Sequence, residues 1–286
     1  MRFLNPKTDF AFKRIFGSAE SSDILISFLN AILALQSPYR IAEVEIVDPY
    51  LAPKIKGMKD TYLDVKARDE SDKSYIIEMQ VLNVEGFEQR ILYNACKAYA
   101  GQLDSGTAYR TLTDVIAITI TDFVMFKELT NVVNSFKLRA ENGHVYHDDL
   151  KLVFAELPKF NKTEDNLANN LDRWFYFLKS ASSLQAVPKS MAADRAIQHA
   201  FSIANKAGLS RAELDDQEHR EIFIQDQLGA LSLAKKQGIE QGIEQGNHEA
   251  TLAIARSLLD VLDDNAIADS TGLSIAQVQQ LKKDRD

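Results

Sequence analysis

A mixed α/β sheet flanked by helices and followed by a helical tail is the fold class this sequence predicts. Three observations predict it. Two β-rich runs, at 61–68 and 74–81, are separated by a short charged connection. A nearly continuous apolar, β-branched run fills 113–123. Apolar residues recur at helical spacing before and after these strands.

Taken in chain order, AFKRIF (11–16) reads as a short helix with Asp9 as a candidate N-cap. Residues 22–36 follow with Ile24, Leu25, Phe28, Leu29, Ile32 and Leu33 on one helical face, Ser22 or Asp23 as N-cap, and Pro38 as terminator. Residues 41–50 alternate, with Ile41, Glu43, Glu45 and Val47 opposed to Ala42, Val44 and Ile46, which predicts a strand. TYLDVKAR (61–68) and SYIIEMQV (74–81), joined by DESDK, predict an antiparallel pair. Phe87, Ile91, Leu92, Ala95, Ala98, Tyr99 and Leu103 mark a long helix over 85–104. The 113–123 run predicts a central strand covered on both faces. Residues 145–156 predict a strand or strand pair, and 165–180 and 190–206 read as helices.

The length accommodates one large domain, residues 1–210, with an attached tail, 211–286. From about residue 212 the chain is rich in acidic residues and Gln and carries the repeat GIEQGIEQG at 238–246. Glycine at every fourth position costs a helix about 1 kcal/mol each relative to alanine, so both a self-associating helix and a flexible linker remain open there. The end of the tail resembles a helix-turn-helix. Its Ile267, Ala268, Leu273, Ile275, Val278 and Leu281 suit a compact helical pair, too small to bury a core alone and so expected to pack on the main domain or another subunit. Its second helix, IAQVQQLKK, has two terminal lysines only, which favours packing over base reading. A homo-oligomer through the tail is the expectation.

The net charge of −8 falls almost wholly in that tail: 8 Lys and Arg against 15 Asp and Glu over 210–286, compared with 14 against 15 over 1–110 and 11 against 11 over 111–209. Charge therefore neither excludes nor supports a nucleic-acid partner. No apolar run reaches the roughly 18 residues of a membrane span, and MRFLNPKTDF has no apolar leader pattern, so a cytoplasmic protein is expected. Cys96, the single cysteine, reads as a buried thiol within an apolar-periodic helix.

The chemistry is carried by YLDVKARDESDKSYIIEMQ. Strand alternation sets Tyr62, Asp64, Lys66 and Arg68 on one face and Leu63, Val65 and Ala67 on the other. In the next strand Ile76, Glu78 and Gln80 share a face opposite Tyr75, Ile77, Met79 and Val81. A hairpin brings Asp64 opposite or diagonal to Glu78, at Cβ separations of roughly 5–8 Å. Two carboxylates so spaced suit Mg²⁺ or Mn²⁺, hard cations that keep several waters and accept phosphate oxygens. The Met79 backbone carbonyl, between Glu78 and Gln80, is a candidate third ligand. Such a cation acidifies a water and polarises a phosphate, so phosphodiester hydrolysis is the matching reaction. Gln80 can orient water or phosphate through its amide but cannot take up a proton. On spacing alone, Asp64 and Glu78 read more readily as polar-face strand residues than as a metal site.

The wider pattern adds to this. KTDFAFKRIFG (7–17), the LISFLNAIL helix, LDVKA, IIEMQ, FEQRILYNACKAYAGQLDSGTAYRTL (87–112), VIAITITDF, FAELPKF (154–160) and NNLDRWFYFL (169–178) together resemble the Rpn family of recombination-promoting nucleases and transposases, within the PD-(D/E)XK superfamily. The resemblance spans roughly residues 5–180. It implies a restriction-endonuclease-like core, metal-dependent DNA cleavage, a role linked to recombination or mobile elements, and Asp64 and Glu78 as metal ligands. Gln80 stands where the superfamily name carries Lys, a departure usual in this family that implies slow turnover. The runner-up reading is a feeble or inactive nuclease fold serving as a DNA-binding or assembly module; a strand-transferring transposase rests on the family label alone.

Asp9, Gln89, Arg90 and Tyr93 are accessory candidates, Arg90 as a phosphate contact and Asp9 as either a site residue or a helix cap. Lys54, Lys56, Lys59, Lys66, Arg68 and Lys73 cluster around the hairpin and are candidate DNA-backbone contacts. His144 and His147, near Asp148 and Asp149, lack a third-ligand pattern and read as a solvated loop.

Overall fold

The computed structural model describes residues 2–52, 59 and 61–284. By its contacts the chain forms two units, Met1–Ile224 and Gln225–Asp286.

The first unit is organised by a six-stranded mixed sheet. Its strands are β1 (Val44–Val47), β4 (Val65–Asp69), β5 (Ser74–Gln80), β6 (Val115–Thr121), β7 (Val133–Arg139) and β8 (Val145–Glu156), in the order β1-β4-β5-β6-β8-β7. A separate two-stranded ribbon pairs β2 (Tyr50–Leu51) with β3 (Thr61–Tyr62). β4 and β5 form the expected antiparallel hairpin, in the register Val65 to Ile77 and Ala67 to Tyr75. β6 lies parallel to both β5 and β8. Its β-branched run is apolar apart from Thr119 and Thr121 because both faces are covered: Ile118 and Ile120 face one layer of helices, Val115 and Ala117 the other.

On one face lie α1 (Asp9–Phe16), α2 (Ser22–Ile32), α4 (Asn170–Ser180) and α5 (Arg195–Ile203), with α2 packed on the other three. Their apolar stripes meet in an aromatic core in which Phe16, Phe28 and Phe177 surround the buried Trp174 at centroid distances of 5.8, 5.9 and 5.9 Å. The opposite face carries α3 (Phe87–Ala100), whose Ala95 and Ala98 lie close against Leu63, Ile76 and Ala117.

Several expectations need correction. The run 61–68 is not one strand: the chain bends at Leu63 and Asp64, so Leu63 packs on the α3 side while Val65 and Ala67 join the α1 side. β7 was not expected at all; its alternate residues are exposed or half-buried and offer no apolar contrast. Asp9 does not cap α1. Thr8 does, accepting from the Ala11 N–H, and Asp9 is the first helical residue. Cys96 is exposed, one position off the buried stripe of Asn94, Ala95, Lys97 and Ala98.

Residues 211–258 form a single helix, α6 (Arg211–Leu258), despite its glycines. Its first turns belong to the first unit and clamp α1. Arg14 meets Glu213 at 2.6 Å, the buried Gln217 accepts from the Thr8 hydroxyl at 3.0 Å, and Arg220 meets Asp9 at 2.9 Å.

In the second unit, α7 (Asp264–Thr271) ends at Gly272, whose left-handed φ of +74° leads to α8 (Ile275–Lys283), capped by a reciprocal Ser274–Gln277 box. The helix that covers this pair is the end of α6 itself: Ala255 and Leu259 bury against Ile267, Leu273, Val278 and Leu281, while Ile275 stays exposed. Among the described residues no helix is long and apolar enough to cross a membrane.

Candidate active site

The bend at Asp64 creates the site. One step beyond the Val65–Ile77 pair, where the ladder would continue to Glu78, β4 has stopped and the Asp64 side chain takes over. Its Oδ2 accepts from the Met79 backbone N–H at 2.9 Å. In a strand the N–H and C=O of one residue leave on the same side, so the Met79 carbonyl also points to the gap beside Asp64.

A cleft of about 1060 Å³ opens there, lined by Asp64, Glu78, Met79 and Gln80 from the hairpin, Asp9 and Lys13 from α1, and Gln89, Arg90, Tyr93 and Asn94 from α3. Every accessory candidate reaches it. Of the expected DNA-backbone lysines, Lys59 lines the cleft; Lys66, Arg68 and Lys73 are not among its lining residues, and Lys73 pairs with Asp114 at 3.0 Å. Lys54 and Lys56 lie outside the described residues. His147 pairs with Asp149 at 2.9 Å on β8, away from the cleft lining.

Burial pushes Asp64 up to about 7, reinforced by the charges of Glu78 and Asp9 and opposed by the Met79 N–H and Lys13. Glu78 is raised by burial too, against the Asn94 amide, Arg90 and Lys13. Asn94, itself 4% exposed, donates to Glu78 Oε1 at 3.0 Å, and its own Oδ1 is buried without a partner among the described residues. Gln80 is committed at both ends: its Nε2 donates to the Leu82 carbonyl at 2.8 Å and its Oε1 accepts from Arg90 at 2.8 Å. It therefore holds the Arg90 guanidinium, which also lies 5.2 Å from the Phe87 ring centroid, rather than offering a free amide.

Lys13 and Asn94 were not anticipated. Both had a local signal: Lys13 lies four residues after Asp9 and Asn94 four after Arg90, so each shares its neighbour's helical face. Lys13 Nζ sits 2.6 Å from Asp9 Oδ1 and 3.6 Å from Asp64 Oδ1. Burial works against its charge, but the Asp9 hydrogen bond and the two carboxylates hold it above the usual lysine range.

The model of the PD-(D/E)XK nuclease family transposases matches residues 6–234. This chain belongs to that family. The match runs from just before α1 into α6, so it takes in both the cleft and the turns of α6 that clamp α1. No curated protein and no solved structure matches the chain.

The PD-(D/E)XK nucleases typically use divalent metal ions, and the residues present fit one. Asp64, Glu78 and the Met79 carbonyl offer hard oxygens, two of them from half-buried carboxylates whose repulsion a cation would relieve. Among the described residues no three His, Cys, Asp or Glu side chains cluster closely enough to enclose a metal alone. Water and substrate would complete the shell, as hard cations at phosphate sites allow.

Proposed function

We propose that the chain is a DNA endonuclease that hydrolyses phosphodiester bonds with Mg²⁺ or Mn²⁺, in recombination or mobile-element biology. The observation that carries this is the pair of half-buried carboxylates, one with its pKa raised to about 7, in an open cleft walled by Lys13 and Arg90. Asp64, Glu78 and the Met79 carbonyl would hold the cation. When bound it supplies Lewis acidity toward phosphate and lowers the pKa of water. Asn94 fixes the Glu78 carboxylate, the Met79 N–H fixes Asp64, and Gln80 aims Arg90 at the substrate's phosphates. A water oxygen forms the new bond to phosphorus. One ester P–O bond breaks with its electron pair on the departing oxygen, which takes up a proton, and the attacking water yields one to solvent.

Supercoiled plasmid is expected to be nicked or linearised with Mg²⁺ or Mn²⁺ and left intact in EDTA. Cleavage that persists in EDTA would count against the reading. Gln80→Lys is expected to slow cleavage about three- to tenfold at unchanged Mn²⁺ affinity, because it removes the acceptor that holds Arg90 and sets a second cation beside its guanidinium. A variant that cleaves as fast as the native chain would contradict that role.

The tail supports self-association. Leu228, Leu231, Ile239, Ile243 and Ile254 of α6 are each at least 40% exposed. A second copy running antiparallel about Gly242 sets Lys235 opposite Glu249, which lie equally far from that glycine along the chain. A chain ending at residue 224 is expected to keep its melting temperature and cleavage and to become monomeric by light scattering. One ending at 210 loses the α6 clamp and about 1–3 kcal/mol of stability. An unchanged oligomer in the first variant would remove the tail as the contact.

A further inference from the structure

On the site strand the residue after Met79 is Gln80, a neutral side chain whose amide is engaged at both ends. A cation nevertheless enters the cleft from a different element. Lys13 rides on α1, a helix anchored by the buried Phe12, Ile15 and Phe16, and its ammonium stands 3.6 Å from Asp64 Oδ1. We propose that Lys13 is a catalytic residue of this site, binding a non-bridging oxygen of the scissile phosphate, and that Asp9 and Arg220 are the residues that position it. This rests on the nuclease reading above.

Charge order along the wall carries the argument. Arg220 of α6, Asp9, Lys13 and Asp64 alternate in sign. Asp9 is divided between its neighbours, Oδ1 to Lys13 at 2.6 Å and Oδ2 to Arg220 at 2.9 Å. A carboxylate held at both oxygens is a fixed anchor, so the ammonium is held at the cleft wall rather than free to sweep through solvent. One of its three donors serves Asp9. The others remain for the carboxylate side of the cleft and for a substrate oxygen lying over it. A plain i,i+4 surface pair would need neither Asp64 nor Arg220.

The test uses the full-length chain. Single-turnover plasmid cleavage at saturating Mn²⁺ and Mn²⁺ affinity without DNA are measured for the native protein, Lys13→Met, Arg220→Met and the double variant. Lys13→Met is expected to slow cleavage by about 100-fold or more while binding Mn²⁺ as tightly or more tightly, since a positive charge beside Asp64 is removed. Arg220→Met is expected to slow cleavage about three- to tenfold in the native background and not at all in the Lys13→Met background, because it acts through Lys13. Equal losses in both backgrounds would make Arg220 merely structural and overturn its role. A Lys13→Met variant cleaving within about threefold of the native chain, or binding Mn²⁺ about tenfold more weakly, would overturn the catalytic role. An inactive native chain would sink the nuclease reading and this inference with it; an active native chain with an equally active Lys13→Met variant sinks the inference alone.

Discussion

Asp64→Ala and Glu78→Ala are each expected to reduce metal-dependent plasmid cleavage by on the order of 10³-fold while leaving the far-ultraviolet circular dichroism unchanged. The effect is large because, on the proposed reading, each substitution removes a charged ligand from a set with only two carboxylates. The fold survives because neither side chain belongs to the apolar core; each is half-buried at the rim of the cleft. Asp64→Ala does strip a partner from the Met79 N–H, but that group lies beside the open cleft, where water replaces the carboxylate oxygen. An unfolded variant would show that the carboxylates are architectural.

The second large effect concerns stability and runs the other way. Asp64 is raised from an ordinary 3.8 to about 7 in the folded, metal-free protein. Between those values the folded state keeps a proton that the unfolded state has lost, so stability falls as pH rises through this window, and the full penalty is present above it. The groups facing Asp64 are Glu78 and Asp9, which disfavour its charge, and Lys13, which favours it. Asp64→Asn is therefore expected to stabilise the protein in EDTA at pH 8 by about 2 kcal/mol, a discounted share of the roughly 1.4 kcal/mol per pKa unit. At pH 5 the gap should narrow to roughly a third of that and close only below about pH 4, where the unfolded chain also keeps the proton, and Mg²⁺ should raise the melting temperature of the native chain only. An Asn variant that is less stable at both pH values would refute this account of the site.

Local periodicity made much of this molecule legible. The hairpin, the doubly covered central strand and the long helix α3 follow from alternation and apolar spacing, and Asp64, Glu78 and Gln80 do face one cleft. What stayed hidden is what local patterns do not encode. The bend at Asp64 leaves the residue types of a continuous strand in place. β7 presents half-exposed residues with no contrast between its faces. Gln80 looks like a group facing substrate until Arg90 and the Leu82 carbonyl are seen to occupy it. Arg220 meets Asp9 across 211 residues of sequence, a separation at which no spacing rule operates.

That last kind of contact bears on how the protein is made. Thr8 and Gln217 bond across 209 residues, so the helix that carries Asp9 and Lys13 leaves the ribosome well before the segment that gives it its final support. A nascent chain that has exposed Asp64 and Glu78 still lacks the brace on α1. The Lys13 wall of the cleft is completed only after translation has passed the sheet, α4 and α5, and a prematurely terminated chain carries both carboxylates without it.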